Sequence, residues 1–132
     1  MRVCNLASGS SGNCTYIETE STKILIDCGK PFSYIFNALN EIKVDPQTID
    51  AILITHEHSD HIKGIQQFAK TYNTRIYAHM YLSEIVTHQI HVPNELFNFF
   101  DSDFKSVLYI SLLSTFRMIA NIVLDIKFKK KM

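Results

Sequence analysis

Three short runs of apolar and β-branched residues open the chain, separated by small and polar residues. They cover residues 2–7, 14–18 and 22–27. Short runs of this kind linked by turn residues are typical of antiparallel strands. The pattern therefore predicts a hairpin meander of three strands at the start of the chain.

Apolar residues then recur at helical spacing and alternate with further strand-like runs. The first helical stripe consists of Phe32, Ile35, Phe36, Leu39 and Ile42. Pro31 suits the first turn of this helix. The same reasoning predicts helices over residues 61–72 and 81–90 and strands over residues 50–54 and 74–78. Alternation of strands with helices predicts an α/β fold in which helices pack against a sheet.

Charge and cysteine content narrow the class of protein. The 13 basic and 13 acidic side chains give a formal net charge of zero, so no global basic field indicates nucleic-acid binding, although a local patch remains open. Cys4, Cys14 and Cys28 are widely spaced, and the first residues lack the apolar stretch of a signal peptide. These features favour free thiols in a reducing, cytoplasmic setting, with a cysteine ligand to a metal as the alternative.

The densest candidate chemistry lies in residues 55–61, directly after the predicted strand at 50–54. Imidazole nitrogen and carboxylate oxygen are ligands that hold zinc at about 2.0–2.2 Å. His56 and His58 alternate along an extended segment, so both point to one side. A second pair of candidate ligands, Asp60 and His61, follows as the chain turns into a helix. Two such pairs can hold two ions about 3.5–4 Å apart, whereas the alternatives are one structural metal or a chance cluster.

Two other groups of residues leave their interpretation open. Residues 8–13 form a loop of small residues whose backbone N–H groups could hold an anion. The loop has no Gly-Lys-Ser/Thr ending, so it is not a P-loop, and a plain strand connection is the alternative. His79, His88 and His91 are interpreted as surface or capping residues, with a metal site at the last two as the alternative.

Several motifs together resemble the metallo-β-lactamase fold superfamily. Residues 55–61, with Gly64 three positions later, resemble its HxHxDH signature. Residues 27–29, Asp-Cys-Gly, resemble its strand-end Asp-x-Gly, and residues 6–13 are most similar to the WalJ/YycJ-type branch. The resemblance covers residues 1–105 and implies an αββα sandwich, of which this chain holds the first half.

The resemblance also implies an activity and the metal ligands. The superfamily performs metal-dependent hydrolysis by metal-bound hydroxide, with two zinc or manganese ions, and the branch is linked with exonuclease-type cleavage of DNA phosphodiesters. Nucleic acid is therefore the implied partner. By the same resemblance, His56 and His58 ligate the first ion, and Asp60 and His61 ligate the second. Asp60 would also orient the hydroxide as the catalytic residue.

Two further roles follow from the same resemblance. Asp27 would support the metal-binding loop from the end of its strand. The possible substrate loop, which would lie near the site and contact substrate phosphate, consists of Ser10, Ser11, Gly12 and Asn13.

The chain departs from the superfamily beyond its first half. The superfamily takes another histidine, a bridging aspartate and a late histidine from later segments, yet this chain has no histidine after His91. The chain is therefore interpreted as a truncated and impaired part of a parent hydrolase, of unknown oligomeric state. A half sandwich is also expected to leave one sheet face uncovered. The alternatives are a small-molecule ester, thioester or lactam hydrolase on the same fold, or a non-catalytic remnant.

Residues 106–132 form an atypical apolar and basic tail. Residues 107–124 are nearly all apolar or small, and about 20 such residues suffice to span a membrane. A tail-anchored membrane protein is therefore one interpretation, although Arg117 near the centre would cost about 2.5–3.5 kcal/mol on insertion. Because of that cost, no membrane partner is assigned. The other interpretation is that the tail is translated out of frame.

Overall fold

The computed structural model describes residues 1–101 and Ile126. By its internal contacts, the chain divides into two units, Met1–Phe100 and Asp101–Met132. Apart from Ile126, the predicted tail lies outside the described residues, and so do its membrane and out-of-frame interpretations. Among the residues that are described, no helix is long and apolar enough to cross a membrane.

A six-stranded sheet whose strands follow sequence order forms the centre of the first unit. The strands are β1 (Arg2–Ala7), β2 (Cys14–Glu18), β3 (Lys23–Ile26), β4 (Ala51–Ile54), β5 (Arg75–His79) and β6 (Phe97–Phe100). The first three pair in antiparallel fashion, which confirms the predicted meander. From β3 to β6 the pairs are parallel, as helical connections between strands require.

Four α-helices connect the strands and confirm the predicted α/β class. They are α1 (Phe32–Glu41), α2 (Ser59–Ile62), α3 (Ile65–Tyr72) and α4 (Ser83–Gln89). Short 3₁₀ turns lie at Pro46–Thr48, Met80–Leu82 and Asn94–Leu96.

The structure corrects two predicted helices and adds one strand. The helix predicted over residues 61–72 is two helices, because the Gly64 N–H donates to the Cys28 carbonyl at 2.8 Å. The helix predicted over residues 81–90 begins as a 3₁₀ turn. β6 was not predicted, since its four residues lack a clear alternation of apolar and polar positions.

One face of the sheet packs against the helices. Its core residues come from the centres of the strands and from the inner faces of the helices: Tyr16, Leu25, Ile52, Ile76, Ile35, Leu39, Ile65 and Phe68. Each fully buried side chain of this size contributes about 1.5–3 kcal/mol relative to exposure. This packing fixes the height and direction of the strand ends.

The opposite face of the sheet is buried at its centre and exposed at its β1 edge. Ile24 and Leu53 are each 1% exposed and Tyr77 is 4% exposed, whereas Val3, which pairs with Ile17 on this face, is 56% exposed. The expectation that one face stays uncovered is therefore wrong for the strands at the centre of the sheet.

The carboxyl ends of β3, β4 and β5 lie at one edge of the sheet because these strands are parallel. Asp27 follows β3, and the histidine-rich residues 55–61 follow β4. In open parallel sheets, ligands bind at this edge. The fold therefore places the candidate chemistry where it is both anchored and accessible.

Candidate metal centre

Asp27 lies at the centre of the hydrogen-bond network below the histidine loop. It has a left-handed backbone with φ of 59°, which aspartate tolerates better than most residues. Its side chain is 6% exposed, and its carboxylate accepts hydrogen bonds from the Thr55 N–H at 2.8 Å and from the Thr55 hydroxyl. The Nδ1 of His61 lies 2.7 Å from its Oδ2. One buried carboxylate thus fixes both ends of the loop.

This network sets the direction of two imidazole rings. Because the Thr55 hydroxyl donates to Asp27, it accepts from His56 Nδ1–H, which lies 2.9 Å away. His61 donates its own Nδ1–H to Asp27. Both rings therefore carry their lone pair on Nε2, and their centroids lie 4.7 Å apart. Metal-ligating histidines are held in this way by a carboxylate or carbonyl behind them.

The same network decides the role of Asp27. Asp27, His56 and His61 can each offer one ligand atom within 4.8 Å of the others. However, both carboxylate oxygens of Asp27 already accept hydrogen bonds. Burial raises the pKa of the Asp27 carboxyl group, and the hydrogen bonds from Thr55 and His61 oppose that shift only in part. The hydrogen bonds to both carboxylate oxygens therefore favour a place for Asp27 behind the histidines over a place among the ligands.

Asp60 extends the site at the start of α2. Its Oδ2 lies 3.7 Å from Nε2 of His61, and both atoms are acceptors. Two acceptors that face each other without a proton between them repel, and a cation between them removes that repulsion. Imidazole nitrogen with carboxylate oxygen is also a donor set that divalent zinc or manganese accepts. The residues present therefore fit a divalent ion.

Backbone contacts hold Asp60 in place. The Asn13 N–H donates to the Asp60 carbonyl at 2.8 Å, and Asn13 Nδ2 lies 3.3 Å from Asp60 Oδ2. Gly29 packs so tightly against Asp60 that a Cβ on Gly29 would lie 1.7 Å from its carbonyl oxygen. The loop after β1 and the turn after β3 thus clamp the start of α2.

His58 is held far less than the other candidate ligands. Its side chain is 71% exposed, and its ring centroid lies 6.4 Å from that of His56. Its one ionic neighbour among residues 1–101 is Glu57, at 3.8 Å. The structure brings His56 and His61 together beside Asp60 and leaves His58 at the rim.

The loop of residues 8–13, the Ser/Gly loop, is closed by the side chain of Asn13. Its Oδ1 accepts from the Gly9 N–H at 3.1 Å, and its Nδ2 donates to the Gly9 carbonyl at 3.0 Å. Ser11 Oγ accepts a hydrogen bond of 3.0 Å from Lys30 Nζ, while Ser10 is exposed. Sequence reasoning missed Lys30. The one signal that could have pointed to it is its position directly after residues 27–29.

The remaining histidines have other hydrogen-bond partners. His79 Nδ1 accepts from the Tyr81 N–H at 3.1 Å, which confirms the predicted capping role for His79. His88 Nδ1 lies 2.7 Å from the Glu84 carbonyl on exposed α4. Within residues 1–101, neither joins a cluster of three potential metal ligands.

Comparison with known proteins gives a consistent assignment. The family model of the metallo-beta-lactamase superfamily matches residues 7–119, which confirms the predicted resemblance. The exodeoxyribonuclease WalJ of Streptococcus pneumoniae serotype 2 is 52% identical over 73 residues, which are 55% of this chain and 27% of that protein. The exodeoxyribonuclease YycJ of Bacillus anthracis is 40% identical over 73 residues, or 55% of this chain and 28% of that protein. The match thus spans about a quarter of the length of these relatives.

Solved structures support the same fold. The metallo-beta-lactamase GOB-18 from Elizabethkingia meningoseptica superposes with a TM-score of 0.55 and 20% identity, over 69% of this chain and 37% of that one. At this identity the likeness speaks for the fold alone. It confirms the predicted metallo-β-lactamase-type architecture.

Proposed function

The chain belongs to the metallo-beta-lactamase superfamily, and on that premise we propose that it is the N-terminal part of a metal-dependent hydrolase that cleaves DNA phosphodiesters as an exonuclease. The observation that carries the proposal is the convergence of His56 and His61 on Asp27, beside Asp60. The choice of DNA is supported by the names of the relatives that are 52% and 40% identical.

Four residues are proposed to hold two divalent ions, zinc or manganese. His56 and His58 hold the first ion, and Asp60 and His61 hold the second. The ions, when bound, supply Lewis acidity toward the phosphoryl oxygens of the substrate. The hydrogen bonds from Thr55 and His61 to Asp27 keep the Nε2 atoms of His56 and His61 directed at the proposed ions.

Asp60 is proposed as the catalytic residue. Among residues 1–101, Asn13 alone donates to its carboxylate, and it does so at Oδ2. The other oxygen is available to accept a hydrogen bond from the attacking water and so to orient it. The clamp formed by Asn13 and Gly29 keeps that oxygen in place while substrate binds.

Metal affinity is proposed to be weak in this chain by itself. Two protein ligands per ion fall short of the three that catalytic zinc sites have. All three cysteines are free, which supports a reducing, cytoplasmic setting as the proposed location.

The test compares the chain with its Asp60→Asn variant in manganese and in zinc. End-labelled single-stranded and duplex DNA and a small thioester serve as substrates. We expect slow, metal-dependent shortening of the DNA from its ends, lost in the variant, and no thioester hydrolysis. Thioester hydrolysis without DNA cleavage, or DNA cleavage that Asp60→Asn leaves unchanged, would contradict the proposal.

A further inference from the structure

Lys30 lies in the turn between β3 and α1, and its side chain is held in one position. Its ammonium group donates to Ser11 Oγ at 3.0 Å and lies 4.9 Å from the ring centroid of Tyr34. The Tyr34 hydroxyl in turn donates to the Leu6 carbonyl at 3.2 Å. A lysine side chain ordinarily has high rotamer entropy. Here that entropy is already reduced by contacts with the Ser/Gly loop and with α1.

The loop has room for this side chain because residue 12 is glycine. A Cβ on Gly12 would lie 2.8 Å from Lys30 Cδ and 2.4 Å from the Gly29 carbonyl oxygen. Gly12 therefore lets the loop and the aliphatic stem of Lys30 pack together. The ammonium group reaches the tip of the loop at Ser11.

The same loop touches the metal centre two residues later. Asn13 donates from its backbone and its side chain to Asp60, which is proposed to be both a metal ligand and the catalytic residue. The ammonium of Lys30 is thus connected to Asp60 through one short, hydrogen-bonded loop. Ser11 is thus two residues from the point at which the loop contacts Asp60.

The charge of Lys30 is not neutralised within residues 1–101. No carboxylate there lies within the 4.0 Å that defines a salt bridge to its Nζ. An ammonium group has three donors, and Ser11 takes one of them. The N–H groups of Ser10 and Ser11 also make no hydrogen bond within this range. Unused backbone donors in the loop that a positive charge contacts are what an oxyanion requires.

We propose that Lys30 and Ser11, with the N–H groups of Ser10 and Ser11, form a phosphate subsite beside the metal centre. The inference rests on the proposed function for its substrate class and assigns to this subsite the DNA phosphate that neighbours the one being cleaved. Phosphate contacts position a nucleic acid without reading its sequence. Lys30 is therefore a positioning residue that sets the register of the strand over Asp60.

The test measures binding of a short single-stranded DNA to the full chain without added metal, at several salt concentrations. Lys30→Gln is compared with Lys30→Arg and with the control Lys23→Gln. Lys23 also donates to a hydroxyl, that of Thr48, but it lies at the opposite end of β3. A peptide nucleic acid of the same sequence serves as the uncharged ligand, and inorganic phosphate is the competitor.

We expect Lys30→Gln to weaken DNA binding several-fold at low salt and to reduce the slope of log affinity against log salt by about 0.7, the value for one phosphate contact to a single strand. Lys30→Arg and Lys23→Gln should retain the slope of the wild type. Equal slopes for Lys30→Gln and wild type, or equal binding of the peptide nucleic acid and DNA, would overturn the subsite. Lys30-dependent binding supports it even if the metal-loaded chain cleaves no DNA, which would count against the proposed hydrolysis alone. Competition by inorganic phosphate but no DNA binding would overturn the assignment to a DNA phosphate.

Discussion

The metal loop is held firmly where Thr55 and His61 reach Asp27, here called its inner end, and loosely at its exposed tip, here called its outer end. His61, at the inner end, has a side chain that is 19% exposed and hydrogen-bonded to buried Asp27. His58, at the outer end, has a side chain that is 71% exposed and has Glu57 as its ionic neighbour. On the proposed assignment, the ligands at the inner end are oriented before any ion binds, whereas His58 must lose side-chain freedom on binding. The comparison thus separates a preorganised part of the proposed site from a part that a bound ion would have to order.

The largest effect is expected when the clamp on the inner end is broken by Gly29→Ala. A Cβ there would lie 1.7 Å from the Asp60 carbonyl oxygen, so the turn after β3 and α2 must separate. We expect a loss of about 3 kcal/mol or more in the free energy of unfolding, at the upper end for overpacking. Chemical denaturation followed by circular dichroism measures the change.

The matched control is Gly9→Ala in the Ser/Gly loop. Nothing lies within 4 Å of a Cβ there, so only the strain of its φ of 115° remains, at about 1–2 kcal/mol. Equal losses for the two variants would show that close packing against Asp60 does not fix the inner end.

Asp27→Asn removes the charge that orients the inner ligands but retains a residue that tolerates a left-handed backbone. The amide offers one acceptor oxygen where three donors converge, so one buried donor is left unpaired. We expect a loss of about 2–3 kcal/mol in stability. Metal affinity should fall by about 10- to 100-fold, as for other groups behind metal ligands.

Denaturation and calorimetric metal titration measure these two quantities for Asp27→Asn. Glu20→Gln, on the exposed turn between β2 and β3, is the control for loss of a negative charge. An affinity equal to that of the control would mean that Asp27 does not orient the ligands.

Thr55→Val tests the link between Asp27 and His56. Valine has nearly the same shape but cannot donate to Asp27 or accept from His56 Nδ1. We expect a loss of about 1–2 kcal/mol and a shift of His56 toward the other tautomer, visible in its ¹⁵N chemical shifts. Thr55→Ser keeps the hydroxyl and should retain the tautomer, and an unchanged spectrum for Thr55→Val would contradict the network.

The smallest effect on stability is expected for His58→Ala. Substitution of an exposed side chain changes the free energy of unfolding by no more than about 0.5 kcal/mol. His61→Ala removes one hydrogen-bond donor from buried Asp27 and should lower the free energy of unfolding by about 1–3 kcal/mol. Both should weaken metal binding, as calorimetry can measure. Equal destabilisation by the two variants would remove the distinction between the inner and the outer end.

The sequence predicted the elements with strong periodicity and the motif with dense chemistry. The stripe of α1 and the apolar run of β4 needed no tertiary information, since their packing faces repeat within the segment. The break at Gly64 could be found only with tertiary information. The N–H of Gly64 donates to the carbonyl of Cys28, which lies 36 positions earlier in the sequence. The four-residue segment Phe97–Phe100 becomes a strand because it pairs with β5. No local pattern indicates that pairing.

The sequence indicated the ligand types and the supporting place of Asp27, but not the other contacts that hold the site. His56, His58, Asp60 and His61 stand out because they are close in sequence. The bridging role of Thr55 depends on the direction of one hydroxyl group, and the position of Lys30 depends on a loop 19 residues earlier. Such contacts follow from the folded backbone and leave little trace in spacing.

The separation of Asp27 from its partners has a consequence for the order in which the protein is made. During synthesis, Asp27 emerges 28 residues before Thr55 and 34 residues before His61. Contacts between distant residues form late because the intervening chain must first be ordered. The growing chain can therefore complete the β1–β3 meander early, while the histidine loop assembles only after β4 has paired. A nascent chain thus has no formed site for free metal ions until His61 has been added and β4 has paired.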